Sequence, residues 1–334
     1  FVLDARIKSI DGAKLSSDGK ATLRLDKILI PQGPVRNLET GLDYVMELDL
    51  EPGNIRIDKA DVKIQGIPLS ITGEIKNYRK EPDIKLDLYA RQLPIDKLVP
   101  VPAGSVRTVK APAENRPASG SASKESEPMA LKMRAEGEIK IDSIIYKGMS
   151  MNDLNARYQL QGNRFEILNL TAAAGKGTLN MSSAEDLSKP GYVYSLSANV
   201  DSLHAEEIVN AFFPKAKDTV FGLISFDLKT TGAGTLPEHI KKNLIAKGKF
   251  TITNGRITNA KATENLANFL NIEELKIINL RKANGTIKIR DRMARLDSIF
   301  TSDDVSMDPS GDIGLDETLD LTFDLKLSKR LTDK

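Results

Sequence analysis

Residues 46 to 57 read MELDLEPGNIRI. Apolar and polar side chains alternate on both sides of the turn sequence Pro52-Gly53-Asn54. Alternation of period two places the apolar residues on one face of a β-strand, and a turn sequence between two such runs indicates a β-hairpin. The same alternation recurs along nearly the whole chain, down to Leu319, Leu321, Phe323, Leu325 and Leu327. The sequence therefore predicts a mainly β protein with a few short helices.

The hairpin pattern occurs three times, which indicates repeated β units. RYQLQGNRFEI (157–167) and GTIKIRDRMARL (285–296) echo residues 46–57, with turns at Gly162-Asn163 and Asp291-Arg292. LDLYARQLPIDKLVP (86–100) and LSANVDSLHAEEIVNAFFP (196–214) each combine a strand, a short helix and a proline. Long repeats of this kind stack into one elongated body. We expect a repeated, curved antiparallel sheet that forms an elongated open apolar groove.

These repeats divide the chain into units. We predict β units over residues 1–100, 129–220 and 221–334. Residues 101–128 are rich in Pro, Ala and Ser and predict a flexible linker. The last unit contains an amphipathic helix over residues 259–271, with an apolar stripe of Ala262, Leu266, Phe269 and Leu270.

Composition excludes several classes of protein. The 334 residues include 48 basic and 46 acidic side chains in an interleaved pattern, which does not indicate nucleic-acid binding. The absence of cysteine excludes disulfides and thiolate-bound metals. No apolar run approaches the roughly 18 residues of a membrane-spanning helix. Because the sequence begins at Phe1 without an initiator methionine, we expect that an upstream segment containing a membrane anchor has been removed.

Catalytic and metal-binding motifs are weak. His204 and His239 both lie at predicted helix starts, where a surface or capping role is the ordinary interpretation. Gly175-Lys176-Gly177-Thr178 lacks the remaining glycine of a phosphate loop and favours a hairpin turn. An acidic stretch near the C-terminus contains Asp303, Asp304, Asp308 and Asp312. The spacing of these carboxylates does not match a calcium-binding loop, and we interpret the stretch as turns around Pro309 and Gly311. We therefore predict no enzyme, no catalytic residue, no cofactor and no metal.

The repeated apolar face has two interpretations. Two such sheets packed together form a closed β-sandwich, which is the commoner outcome. Long repeat units, few helices and an aliphatic lining without tryptophan favour an open groove instead. The predicted groove-lining residues are Phe165, Ile167, Phe226, Leu228, Phe250, Ile252, Ile287 and Ile289.

Residues 236–270, LPEHIKKNLIAKGKFTITNGRITNAKATENLANFL, resemble the C-terminal region of AsmA-like proteins. In that family a Pro-initiated helix leads to a strand, an "NGRI" turn and an amphipathic helix, and residues 280–325 continue the pattern. The resemblance implies a periplasmic protein of the bacterial envelope, anchored in the inner membrane and similar to bridge-like lipid transfer proteins. It implies phospholipid or other acyl chains as ligands, with possible envelope protein partners and a role in outer-membrane biogenesis. The alternative is a structural or assembly factor for outer-membrane proteins, with a closed core and no lipid cargo.

Overall fold

The structure is a computed structural model that describes residues 2–30, 33–98, 125–316 and 318–332. Helices are few and short: α1 (Ile95–Leu98), α2 (Ala205–Phe212), α3 (Pro237–Asn243), α4 (Lys261–Leu270) and α5 (Lys329–Thr332), with 3-10 turns at Pro214–Ala216 and Glu273–Lys276. The strands are β1 (Val2–Asp11), β2 (Lys14–Ile30), β3 (Gly33–Asp49), β4 (Asn54–Ile64), β5 (Ile67–Lys76), β6 (Asp83–Pro94), β7 (Arg134–Tyr146), β8 (Met149–Gln161), β9 (Arg164–Ala174), β10 (Gly177–Asp186), β11 (Val193–His204), β12 (Val220–Ala233), β13 (Ile245–Ile257), β14 (Ile278–Arg290), β15 (Met293–Thr301), β16 (Val305–Gly314) and β17 (Leu319–Leu327).

All 17 strands belong to one sheet in which each strand is hydrogen-bonded to the next along the chain. Neighbours are antiparallel except β6 and β7, which are parallel with Leu88 opposite Ile139. Parallel neighbours require a long connection in place of a tight turn, and residues 95–133 separate β6 from β7. The sheet is curved and is not closed. The prediction of a mainly β, curved antiparallel sheet is confirmed.

Four helices lie at the same end of the sheet, which we call the helical end. It is the end where β6, β11, β13 and β17 finish and α1, α2, α4 and α5 follow. Only α3 lies at the opposite end, between β12 and β13. The predicted succession of a strand and a short helix is confirmed twice, in β6–α1 and in β11–α2. All three predicted hairpin turns are also confirmed, and in the third both Asp291 and Arg292 adopt positive φ.

The core is thin and lies mainly beneath the helices. Leu275 is the one large side chain that is fully buried among the described residues. It packs with Leu266 and Ala267 of α4 and with Leu331 of α5 against the strands β13, β14 and β16. Ile95 of α1 and Ile208 of α2 cover two smaller clusters. In the described part of the chain no second sheet packs on the first, so the closed sandwich is not the architecture.

Three local predictions need correction. Phe269 does not join the apolar stripe of α4, since its side chain is 86% exposed. The residues of α4 that face the core are spaced by three, one and three positions; they are Thr263, Leu266, Ala267 and Leu270. Pro309 and Gly311 are not turn residues but lie within β16. Pro309 is accommodated there because the pairing of β16 with β15 passes from Ser310 directly to Met307, so no β15 residue is paired with Pro309 and its missing N–H interrupts no pair on that side. The Ser298 hydroxyl donates to the Pro309 carbonyl oxygen, at 2.9 Å.

The predicted linker is shorter than expected at its C-terminal end. Residues 125–128 fall inside the predicted linker, yet the Gly191 backbone N–H donates to the Ser126 carbonyl oxygen at 2.8 Å. The Ser126 N–H in turn donates to the Thr235 hydroxyl, at 3.1 Å. Their polar composition predicted flexibility because composition does not reveal these tertiary hydrogen bonds. The remainder of the predicted linker, residues 101–124, lies outside the described residues.

Candidate functional site

One row of directly opposed residues crosses the entire sheet and contains no charged side chain. Each member pairs with the next across 16 successive strand contacts, and every member is apolar, aromatic or glycine. With about 4.8 Å between strands, 16 spacings make this row roughly 77 Å long. We call it the central row: Ala5, Gly19, Tyr44, Ala60, Ile71, Leu88, Ile139, Ala156, Leu170, Met181, Ala198, Leu228, Gly248, Ile287, Leu296, Gly311 and Leu321.

The face that carries the central row is the inner face of the curved sheet. In β12, Phe226 and Leu228 are half-buried, while Asp227 and Lys229 between and beside them are exposed. In β14, Ile287 is half-buried and Lys288 is exposed. In the described part of the chain no second sheet covers this face, and the helices pack on it only at the helical end. The result is an open apolar surface with a charged exterior.

The eight residues predicted to line a groove all lie on this inner face. Leu228 and Ile287 belong to the central row itself. Phe226 and Phe250 lie opposite each other one row nearer the helical end, while Ile289 lies one row farther from it. Ile167, opposite Ser183, shares the row of Ile289, and Phe165 lies one row beyond Ile167.

Ile252 differs from the other seven. Its side chain is only 7% exposed, and it packs in the cluster that α4 and α5 cover. It lies opposite Ile224 and Ala283, close to the helical end. Ile252 is therefore part of the small core beneath the helices, whereas Leu228 and Ile287 are only half-buried on the inner face.

Four aromatic side chains on the inner face lie across glycines of a neighbouring strand. A Cβ atom at Gly285 would lie 2.4 Å from the ring of Phe250, which shows that this ring occupies the space above the glycine. An aromatic side chain that reaches over a glycine of the neighbouring strand shields backbone that the glycine itself leaves uncovered. The four pairs are Gly19 with Tyr44, Gly137 with Tyr158, Gly232 with Tyr194, and Gly285 with Phe250. The sequence prediction missed them, although an isolated glycine inside a strand pattern is a signal for close approach.

The two rims of the inner face are built differently. At the helical end, short helices pack on the apolar side chains. At the opposite end, residues 125–133 form a strap that crosses the strand connections from β12 to β7. The Met129 N–H donates to the Leu187 carbonyl oxygen at 2.8 Å, and the Leu131 N–H donates to Asn163 Oδ1 at 2.7 Å. The strap ties the start of β7 to strands that follow it in the chain.

Glu125 anchors the beginning of the strap. Its Oε2 accepts hydrogen bonds from the backbone N–H and the hydroxyl of Thr235, at 2.7 and 2.6 Å, and its Oε1 contacts Nδ1 of His239. Burial raises the pKa of this carboxyl group, but the hydrogen bonds from Thr235 and the contact with His239 outweigh burial and hold the pKa below its ordinary value. Gly191 leaves room for the carboxylate, since a Cβ atom there would lie 2.8 Å from Oε2.

The candidate catalytic motifs do not come together. His204 is the last residue of β11, directly before α2 at the helical end, and its Nδ1 lies 3.3 Å from Glu206 Oε1, whereas His239 lies in α3 at the opposite end. Gly175 and Lys176 form the turn between β9 and β10, which confirms the predicted hairpin. The described residues contain no group of three or more potential metal ligands. Among the described residues, no helix combines the length and the apolar character that crossing a membrane requires.

These features define a class of protein: a single open β-sheet with a continuous apolar inner face and a charged outer face. The AsmA family model matches residues 16–303, so the chain belongs to the AsmA family. The match begins in β2 and thus includes the first unit as well as the C-terminal region that suggested the resemblance. Membership is consistent with a role in the bacterial cell envelope. Neither the curated proteins nor the solved structures yielded a match.

Proposed function

We propose that the protein binds lipid acyl chains along the central row and serves as a periplasmic lipid-transfer body in outer-membrane biogenesis and envelope homeostasis. The observation that supports this most strongly is the unbroken apolar row, because a single charged residue would interrupt such a track. Headgroups remain in water at the open side of the sheet. The protein performs no chemistry on its cargo.

The energetic basis is the cost of exposing an acyl chain to water. A chain of about 16 carbons loses roughly 13 kcal/mol of favourable burial, at about 0.8 kcal/mol for each methylene group. An apolar inner face restores most of that burial at every position along the row. Movement from one strand to the next then changes the free energy little, and no specific polar pocket is required.

Attachment to the inner membrane and contacts with envelope proteins belong to the same proposal. They rest on the family resemblance. The alternative of an assembly factor with a closed core loses its structural basis in the described residues, because their one sheet remains open.

The test is lipid extraction from the purified chain followed by mass spectrometry. We expect phospholipid in stoichiometric amount after mild purification without detergent. A parallel preparation of a lipid-free globular protein from the same cells controls for carry-over. A lipid content equal to that of the control contradicts the proposal.

A further inference from the structure

One row of directly opposed residues on the outer face changes sign across the last six strands. Four successive cations are followed by two aspartates. We call it the charge row, and from β12 to β17 its members are Lys229, Lys247, Lys288, Arg295, Asp312 and Asp320. Two more aspartates on the same face, Asp308 of β16 and Asp324 of β17, also lie opposite each other. The outer face of these strands therefore has a cationic half, over β12–β14, and an acidic half, over β16 and β17.

Segregated charge of this kind is not the pattern of the outer face elsewhere. A row over β3–β7 alternates in sign at every strand, and its members are Glu47, Arg56, Glu74, Lys85 and Glu136. Ion pairs form along that row: Arg56 contacts Glu47 at 2.9 Å and Lys85 contacts Glu136 at 2.8 Å. Like charges directly opposite each other destabilise neighbouring strands, whereas opposite charges stabilise them. The charge row thus carries a cost that the other row avoids.

The lysines of the charge row are not neutralised by the chain itself. Arg295 lies 3.3 Å from Asp312, at the point where the row changes sign. Within the part of the chain that the structure describes, Lys229, Lys247 and Lys288 form no ion pair, and all three side chains are exposed. A surface that brings carboxylates to these lysines would remove their mutual repulsion. The acidic half of the same face supplies such carboxylates, but on strands too far away to reach the lysines within one copy.

We propose that two copies of this chain associate back to back through the outer faces of β12–β17, the cationic half of each copy on the acidic half of the other. A two-fold axis that runs along β15, between the two sheets, places β13 of one copy over β17 of the other and β14 over β16. Lys247 of one copy then faces Asp320 of the other, and Lys288 faces Asp312. A two-fold interface requires such self-complementarity, because the same patch meets itself. Both inner faces remain open, so the association goes beyond the proposed lipid binding and does not depend on it.

The strand on the proposed axis carries an exposed apolar side chain. Ile299 of β15 lies on the outer face and is 55% exposed. It lines a depression of about 660 Å³ together with Asp297, Asp308 and Asp324. The axis brings the Ile299 side chains of the two copies together, which gives the interface an apolar centre with charges around it. The outer face of these six strands measures roughly 24 Å by 30 Å, or about 700 Å² for each copy, and a standard protein interface covers about 800 Å² on each partner.

Reversal of charge on one half at a time tests the pairing. By sedimentation velocity in about 0.05 M salt, the unaltered chain should form dimers, and its dissociation constant should rise at least about 10-fold in about 0.5 M salt, since salt screens exposed charges. The variants Lys229→Glu/Lys247→Glu and Asp320→Lys/Asp324→Lys should each be monomeric, because like charges then face each other. An equimolar mixture of the two variants should form dimers again, because each altered half meets its opposite charge in the other variant.

A matched control separates the charge row from net charge. Lys8→Glu/Lys63→Glu reverses two exposed lysines of the outer face outside the charge row, so net charge changes by the same amount. This variant should dimerise as the unaltered chain does. All the altered side chains are exposed, and circular dichroism melting should show each variant folded.

Three results overturn the proposal: an unaltered chain that stays monomeric at about 100 μM in low salt, a lysine-reversed variant that still dimerises, or a mixture of the two variants that stays monomeric. A monomeric chain whose lysines instead bind an acidic protein also overturns it. Lipid content, measured on the same samples, keeps the two proposals apart. A dimer without co-purified lipid supports self-association and contradicts the proposed function, whereas a monomer with lipid does the reverse.

Discussion

Placing a carboxylate in the centre of the inner face separates stability from lipid binding. Ile287 belongs to the central row, lies opposite Gly248 and Leu296, and is half-buried. Full burial of an isoleucine is worth about 1.5–3 kcal/mol, so Ile287→Glu should cost about 1–1.5 kcal/mol of folding free energy, because the new carboxylate stays hydrated through the open side. An acyl chain over the same position would dehydrate that carboxylate. A penalty of at least about 2 kcal/mol lowers the affinity for an acyl chain at this position roughly 30-fold or more.

Two comparison variants make the result decisive. Lys288→Glu changes the charge on the exposed outer face one residue away and should leave both stability and lipid content nearly unchanged. Ile252→Glu places the carboxylate in the buried cluster beneath α4, and should cost about 3 kcal/mol or more. Thermal melting by circular dichroism and lipid content by mass spectrometry are measured on the same samples. A folded Ile287→Glu variant with its full complement of lipid would contradict the binding of acyl chains at this position.

Three further predictions follow from the site and its rims. Gly285→Val should push the ring of Phe250 off the backbone and into the concavity of the sheet, and we expect less co-purified lipid by mass spectrometry. A normal lipid content would show that the aromatic–glycine pairs do not shape the groove. Leu266→Asp in α4 should lower the free energy of unfolding by more than about 2 kcal/mol in a denaturant titration, whereas Phe269→Asp on the same helix should be nearly neutral. The pKa of Glu125 is lower in the folded protein than its ordinary value of 4.5, so its stabilisation of the strap is fully present above 4.5 and is lost as the pH falls from there through the lower folded-state pKa. Limited proteolysis at decreasing pH should show the strap opening in the original chain but no such pH step in Glu125→Gln.

Strand positions were predictable because period-two alternation depends only on neighbouring residues. It correctly identified the hairpin at Pro52-Gly53-Asn54 and placed Leu228 and Ile287 on the apolar face. Alternation cannot show which strands become neighbours, so the parallel pair of β6 and β7 and the unbroken central row required the structure. The choice between a closed sandwich and an open sheet likewise depends on long-range packing.

Several details of the site could not be predicted from the sequence, for related physical reasons. Ile252 and Ile287 have the same residue type and the same strand pattern, but only Ile252 lies under α4. That difference arises from where the helices dock. The Glu125 anchor joins residues 110 apart in sequence through Thr235, and no local pattern carries that information. The glycine of each aromatic pair was visible as a residue, but its partner was fixed only by register.

If the inner face holds acyl chains along its whole length, a radiolabelled phospholipid should cross-link to a photoreactive residue at any position of the central row. The residue is placed singly at Ile71, Leu170, Leu228 and Leu296, and at Lys229 on the outer face. We expect cross-links of comparable yield at the four central-row positions and none at Lys229. Cross-links confined to one position, or equal yields on the two faces, would contradict it.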